Sequence, residues 1–108
     1  LNKKKVRYIR MSCDTDTVLP AIKRAVALLQ EAGYTREIFV YVLAKELENA
    51  LRRIQQLVAI SPKVVPFCQP FRDFNAGGEI TAPELKRLAR WCNRPWLRKS
   101  CSFHELRQ

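Results

Sequence analysis

Long apolar runs, glycine and histidine are all scarce in this 108-residue chain, and each scarcity removes a class of protein. The longest apolar run, IFVYVLA, falls far short of the roughly 18–20 residues of a membrane-crossing helix and suits a buried strand. Three glycines exclude a low-complexity or collagen-like chain. The one histidine, His104, lies in the tail, so a Cys–His nucleophilic pair has no third group to orient it. There is no P-loop, no GxGxxG and no nucleophile elbow. The opening LNKKK is basic but precedes no apolar stretch, unlike a secretory signal, and it lacks an initiator Met, as a fragment, a processed product or a trimmed chain would.

Four cysteines, Cys13, Cys68, Cys92 and Cys101, show neither the density nor the close pairing of a secreted disulfide scaffold. Reduced thiols and a cytoplasmic location are therefore expected. Cys101 and His104 form half of a zinc-type spacing, but no second pair completes it, and no metal site is assigned. The net charge is +10. That excess favours an anionic partner such as nucleic acid, phosphate or an acidic protein, although basic residues spread from end to end also describe a solvated surface.

The chain alternates between two hydrophobic periods. KKVRYIRMSC, EIFVYVLA and KVVPF are strand candidates, rich in β-branched and aromatic residues. The second reads as a strand covered on both faces, because its apolar run is continuous. In the third, Pro66 belongs at an end or an irregular position. Between the strands, Val18, Ile22, Ala25, Val26 and Leu29 repeat at helical spacing, with Asp14 or Asp16 as cap, Pro20 in the first turns and Gly33 as stop. A second helix has Leu47, Ala50, Leu51, Ile54, Leu57 and Val58 on its apolar face and ends at Ser61-Pro62. A capping box from Thr81 to Glu84 opens a third helix through PELKRLARWCN, and Pro95 stops or kinks it. A short helix is expected near Ser102, where Ser-x-x-Glu recurs with Glu105.

Strand–helix units of about thirty residues each predict an α/β fold built of three βαβ-type units in one domain, 1–108, with three parallel, neighbouring strands. They form a small open sheet or part of a (β/α) barrel. Ligands in such folds bind beyond the carboxyl ends of the strands. The predicted exits are Ser12, Cys13, Asp14 and Thr15; then Ala44, Lys45 and Glu46; then Gln69, Arg72 and Asp73. The polar end of VVPFCQPFRDF thus belongs to a rim, although loops are polar for their own reasons. Trp91, Trp96 and Phe103 among Arg87, Arg90, Arg94, Arg98 and Lys99 describe either a stacking surface for single-stranded nucleic acid or an amphipathic helix with its rings inward.

Four segments in order, RYIRMSCDTDTVLPAIKRAVALLQEAGY, IFVYVLAKELENALRRIQQL, PFCQPFRDF and LKRLARWCNRPWLRKSCSFHEL, resemble the C-terminal half of radical S-adenosylmethionine proteins of the bacterial and phage iron–sulfur oxidoreductase type. The resemblance covers nearly the whole chain. It implies a (β/α) partial barrel, with S-adenosylmethionine across the strand ends and a 4Fe–4S cluster in the full-length protein. By position, Ser12, Asp14, Leu43 and Ala44 are implied to face the cofactor. The resemblance likewise implies that Gln69 would lie beside its adenine or the substrate, with Arg72 and Asp73 on the substrate rim. Two departures qualify this. The cluster motif Cys-x3-Cys-x2-Cys is absent, and Leu43, Ala44 and Lys45 stand where many members carry glycines. The chain alone is therefore expected to be inactive, completed by the N-terminal half of the barrel or, as a fragment, self-associating at its first strand or across its open sheet face. The alternative expectation is a small basic α/β module that binds nucleic acid.

Overall fold

The computed structural model describes residues 9–71 and 83–105. Arg72, Asp73, Lys3 to Lys5 and the Thr81 end of the third helix's capping box lie outside the described residues. The elements are β1 (Ile9–Ser12), α1 (Leu19–Glu31), β2 (Ile38–Ala44), α2 (Leu47–Ile60), β3 (Val64–Pro70), α3 (Pro83–Cys92) and α4 (Pro95–Ser100), with 3-10 turns at Asp16–Val18 and Phe103–Glu105. The strands form one parallel sheet in the order β1-β2-β3, as the alternation of periods predicts.

Local chemistry accounts for most boundaries. Pro20 sits in the first turn of α1, where its missing N–H costs nothing, and Gly33 takes φ +95 just beyond the helix end. Asp16 does not cap α1 as expected. Val18 holds the N-cap position without a side-chain bond, and Asp16 instead pairs with two arginines of α2. Pro95 opens α4 rather than merely ending α3, because proline is tolerated in a first turn. The short helix expected near Ser102 is a 3-10 turn held by a reciprocal capping box. Ser102 N–H donates to Glu105 Oε1 (2.9 Å), and Glu105 N–H donates to Ser102 Oγ (3.2 Å).

Helices α1, α2 and α3 share a single core with one face of the sheet. Ile22 and Val26 of α1, Ala50, Leu51, Ile54 and Leu57 of α2, and Leu85, Leu88, Trp91 and Cys92 of α3 join Ile38, Val40, Val42, Ala44, Val64 and Cys68. Right-handed crossovers that step in one direction place their helices on one side of the sheet. Along β2 the burial alternates strictly, with Ile38, Val40, Val42 and Ala44 buried and Phe39, Tyr41 and Leu43 half-buried. The strand is therefore covered by helices on one face, among the described residues, and not on both as its continuous apolar run suggests.

Pro66 lies inside β3, not at its end. Its position is consistent with an edge strand, where a missing N–H breaks no ladder. Side chains from α3 and the residue after it occupy that edge. Asn93 Oδ1 accepts from Cys68 N–H (2.7 Å), Asn93 Nδ2 donates to the Cys68 carbonyl (3.0 Å), and the Cys92 thiol points at the Pro66 carbonyl. Among the described residues no helix is long and apolar enough to cross a membrane.

Candidate functional site

The three parallel strands deliver their carboxyl ends to one side of the molecule. The Cys13 N–H donates to the Tyr41 carbonyl and the Phe71 N–H to the Ala44 carbonyl, both at 2.8 Å, so each exit is stitched to the strand beside it. Register fixes which residues share the face that no described helix covers. Ser12, Tyr41 and Phe67 form one row and Arg10, Phe39 and Val65 the row below. Leu43 and Gln69 stand above, nearest the exits. Tyr41 and Phe67 pack edge to face, with ring centroids 5.5 Å apart and planes at 62°. At the lip, the Lys45 ammonium lies 5.1 Å from the centre of the Phe71 ring.

Of the residues read from the sequence as cofactor-binding, Ser12, Leu43 and Gln69 come together on this face. Asp14 is exposed on the loop after β1. Ala44 is fully buried on the helix-covered face, so its methyl group belongs to the core and only its carbonyl reaches the exit. Sequence reasoning missed Arg10, Phe39, Tyr41 and Phe67. Their signal was present in β2, where aromatic rings alternate with small and β-branched residues, as they do when one face must pack under helices and the other need not.

Behind the first exit lies an ionic clamp. Asp16 Oδ2 accepts from Arg52 Nη2 (2.9 Å) and Oδ1 from Arg53 Nε (3.1 Å), while Arg52 also donates to Asn49 Oδ1 (2.7 Å). Arg53 is only 8 % exposed, so its charge is withdrawn from water and Asp16 is its counter-ion. The two guanidinium hydrogen bonds hold the Asp16 carboxyl below its ordinary range. Burial pushes the neighbouring Cys13 thiol up, with Arg53 acting in the opposite sense.

The Cys68 and Cys92 thiols are buried in the core. Burial pushes Cys68 up to about 11 and Cys92 to about 12, the latter also raised by Cys68. Among the described residues no three His, Cys, Asp or Glu side chains gather as a metal set, and all four cysteines are among them. An iron–sulfur cluster, which needs thiolates converging on iron, does not fit the thiols of this chain.

The aromatic–basic segment at the end of the chain resolves into two parts. Trp91 is buried, its indole N–H donating to the Cys101 carbonyl (3.0 Å), and Phe103 packs edge-on against it with centroids 5.8 Å apart. Arg87 lies over the outer side of Phe103, 5.9 Å from its centre. Trp96 alone of these rings is exposed, so the segment is chiefly an amphipathic helix with its rings inward. Comparison of the chain with family models, curated proteins and solved structures finds no match.

Proposed function

We propose that this chain is one wall of a radical S-adenosylmethionine barrel, its open sheet face lining the reaction chamber and its strand exits meeting cofactor and substrate. The observation that carries the reading is the single direction of winding. Strands in the order β1-β2-β3 with α1, α2 and α3 on one face leave the other face for an interior, as in a (β/α) barrel. A doubly wound sheet reverses direction and covers both faces. The Asn93 amide, bonded to the outer edge of β3 where a following strand would pair, supports reading that strand as the last of the wall. The sequence resemblance supplies the chemistry.

In such proteins S-adenosylmethionine is the source of the radical that attacks the substrate. The thiols here do not suit a cluster, so the cluster is assigned to residues outside these 108. What the chain itself contributes is shape and polarity. Ser12 and Gln69 offer hydrogen bonds near the exits. Leu43, Tyr41 and Phe67 keep water from the chamber floor. The Asp16–Arg53 clamp fixes the first exit loop against α2.

The reading is tested on the gene. The reading frame that contains this chain is expected to encode Cys-x3-Cys-x2-Cys upstream, and its longest product, reconstituted anaerobically, to take up a four-iron cluster. A complete frame without that motif overturns it.

A further inference from the structure

We propose that the α4 corner of the molecule binds single-stranded nucleic acid, one base stacking on Trp96 while Arg94 and Lys99 hold the adjoining phosphates. The inference stands apart from the barrel reading and uses none of its rim residues.

The uneven distribution of charge is the first argument. Residues 83–105 hold six lysines and arginines against two acidic residues, whereas residues 9–71 hold eight against six. Two of the six cations are already engaged. Arg98 Nε donates to the Cys92 carbonyl (3.3 Å), and Arg87 lies over Phe103. Lys86, Arg90, Arg94 and Lys99 are exposed, and among the described residues none of them has an ion-pair partner. Of the two acids, Glu105 is bonded to Ser102, and Glu84 lies in the first turn of α3.

Trp96 is the second argument. It is 68 % exposed, while Trp91 and Phe103 are buried and Leu97 packs against the core. Helix α4 thus turns its aliphatic side chain inward and its largest ring outward. Arg94 precedes Trp96 by two residues and Lys99 follows it by three, so both Cα atoms lie within roughly 7 Å of that of Trp96. The ring is also held in place. Pro95 fixes the backbone before it, Ser100 Oγ donates to the Trp96 carbonyl, and Arg98 ties α4 to the end of α3. A platform ordered in advance loses little entropy on binding.

Ring and charge together select the occupant. Stacking on a base and contact with phosphates are the two components of single-strand binding, and an indole set between two cations offers both. A protein partner, even an acidic one, needs an apolar centre of several side chains. Trp96 is the only large apolar side chain exposed among the described residues of 83–105. One ring on a six-residue helix is likewise too little apolar surface to enter a membrane interface. A second copy of the chain would bring like charges together. A duplex hides the faces of its bases and would leave Trp96 unused.

The test titrates the 108-residue chain with an oligothymidylate of about ten residues, within the span of typical single-strand sites. Quenching of Trp96 fluorescence is expected as a base stacks on it, and the affinities of variants are read from the anisotropy of a labelled oligonucleotide. Trp96→Ala is expected to weaken binding at least about five-fold, the low end for losing one stacked base, and Trp96→Phe to restore most of it. Arg94→Gln and Lys99→Gln are each expected to reduce the salt slope by about 0.7, the value for one single-strand phosphate. Lys23→Gln, on α1, is the charge control and leaves affinity and slope unchanged.

Unchanged affinity in Trp96→Ala overturns the inference. So does equally strong binding of a duplex of the same length, which marks a charge effect without stacking. Fluorescence that responds to phosphatidylserine vesicles and not to the oligonucleotide assigns a membrane instead, and sedimentation as a dimer that Trp96→Ala dissolves assigns a second copy; both overturn it. Strand binding with a frame that lacks the cluster motif defeats the barrel reading alone. A cluster-bearing protein whose Trp96 ignores the strand defeats this inference alone.

Discussion

The side-chain amide of Asn93 faces the backbone of Cys68 as a neighbouring strand would, accepting from its N–H at 2.7 Å and donating to its carbonyl at 3.0 Å. Both groups belong to the outer edge of β3, where an unpaired backbone would solicit another chain. Asn93→Ala removes both partners at once. At roughly 1 kcal/mol per lost bond, with more for a donor left dry, the expected loss of stability is about 2–3 kcal/mol. Asn93→Asp keeps the acceptor but sets a carboxylate against the Cys68 carbonyl, so it fares no better than alanine. Urea unfolding of the two variants reads both numbers.

Thiol reactivity separates the four cysteines. Cys68 and Cys92, held up to about 11 and about 12 by burial, are almost wholly protonated at pH 8, and Cys13 is fully buried. Cys101 is partly exposed. Alkylation of the native chain at pH 8, mapped by mass spectrometry, is expected to label Cys101 first and the other three only under denaturant. Rapid labelling of Cys13 would mean that the Arg53 field outweighs burial there.

Asp16 gives the fold an acid limit. Its carboxyl is depressed in the folded chain by hydrogen bonds from Arg52 and Arg53. A depressed acid contributes stability that is present in full above its unfolded value of about 3.9 and is lost as pH falls through the lower folded value. This pair is therefore expected to contribute less stability as the pH falls below about 4. Asp16→Asn is expected to be less stable at pH 7, because it leaves the Arg53 charge buried without its counter-ion, and to show a flatter decline in acid. Urea midpoints at pH 7 and in acid check that the two curves converge as Asp16 is protonated.

The two tryptophans should differ sharply. Trp91→Ala opens a cavity beside Phe103 and removes the bond to the Cys101 carbonyl, at a cost of about 3–5 kcal/mol. Trp96 is 68 % exposed, and Trp96→Ala is expected to stay within about 0.5 kcal/mol of the parent. Iodide quenching of the parent fluorescence should reach Trp96 alone.

How far the sequence carried depended on the range of each signal. Element order and parallel pairing were legible because Val18, Ile22, Val26 and Leu29 repeat at one period and Ile38, Val40 and Val42 at another. The difference between the helix-covered face and the other was not, because Phe39, Tyr41 and Leu43 are themselves apolar and hide the alternation in a continuous run. Arg53 reads as solvent-exposed in any hydrophobic pattern, and only a partner 37 residues away explains its burial. Asn93 likewise acts on a backbone 25 residues distant, and a side chain that imitates a strand leaves no periodic trace. Of the rim, Ser12, Leu43 and Gln69 follow from strand ends and register, while Ala44 fell on the wrong side of a pleat that inverts at every residue.

The barrel reading meets its most direct test in one assay. The longest product of the reading frame, with reconstituted cluster, a strong reductant and S-adenosylmethionine, is expected to release 5′-deoxyadenosine without oxygen, whereas the 108-residue chain treated identically releases none. Absence of 5′-deoxyadenosine from a product that holds its four-iron cluster, or its release by the 108-residue chain alone, would contradict the account.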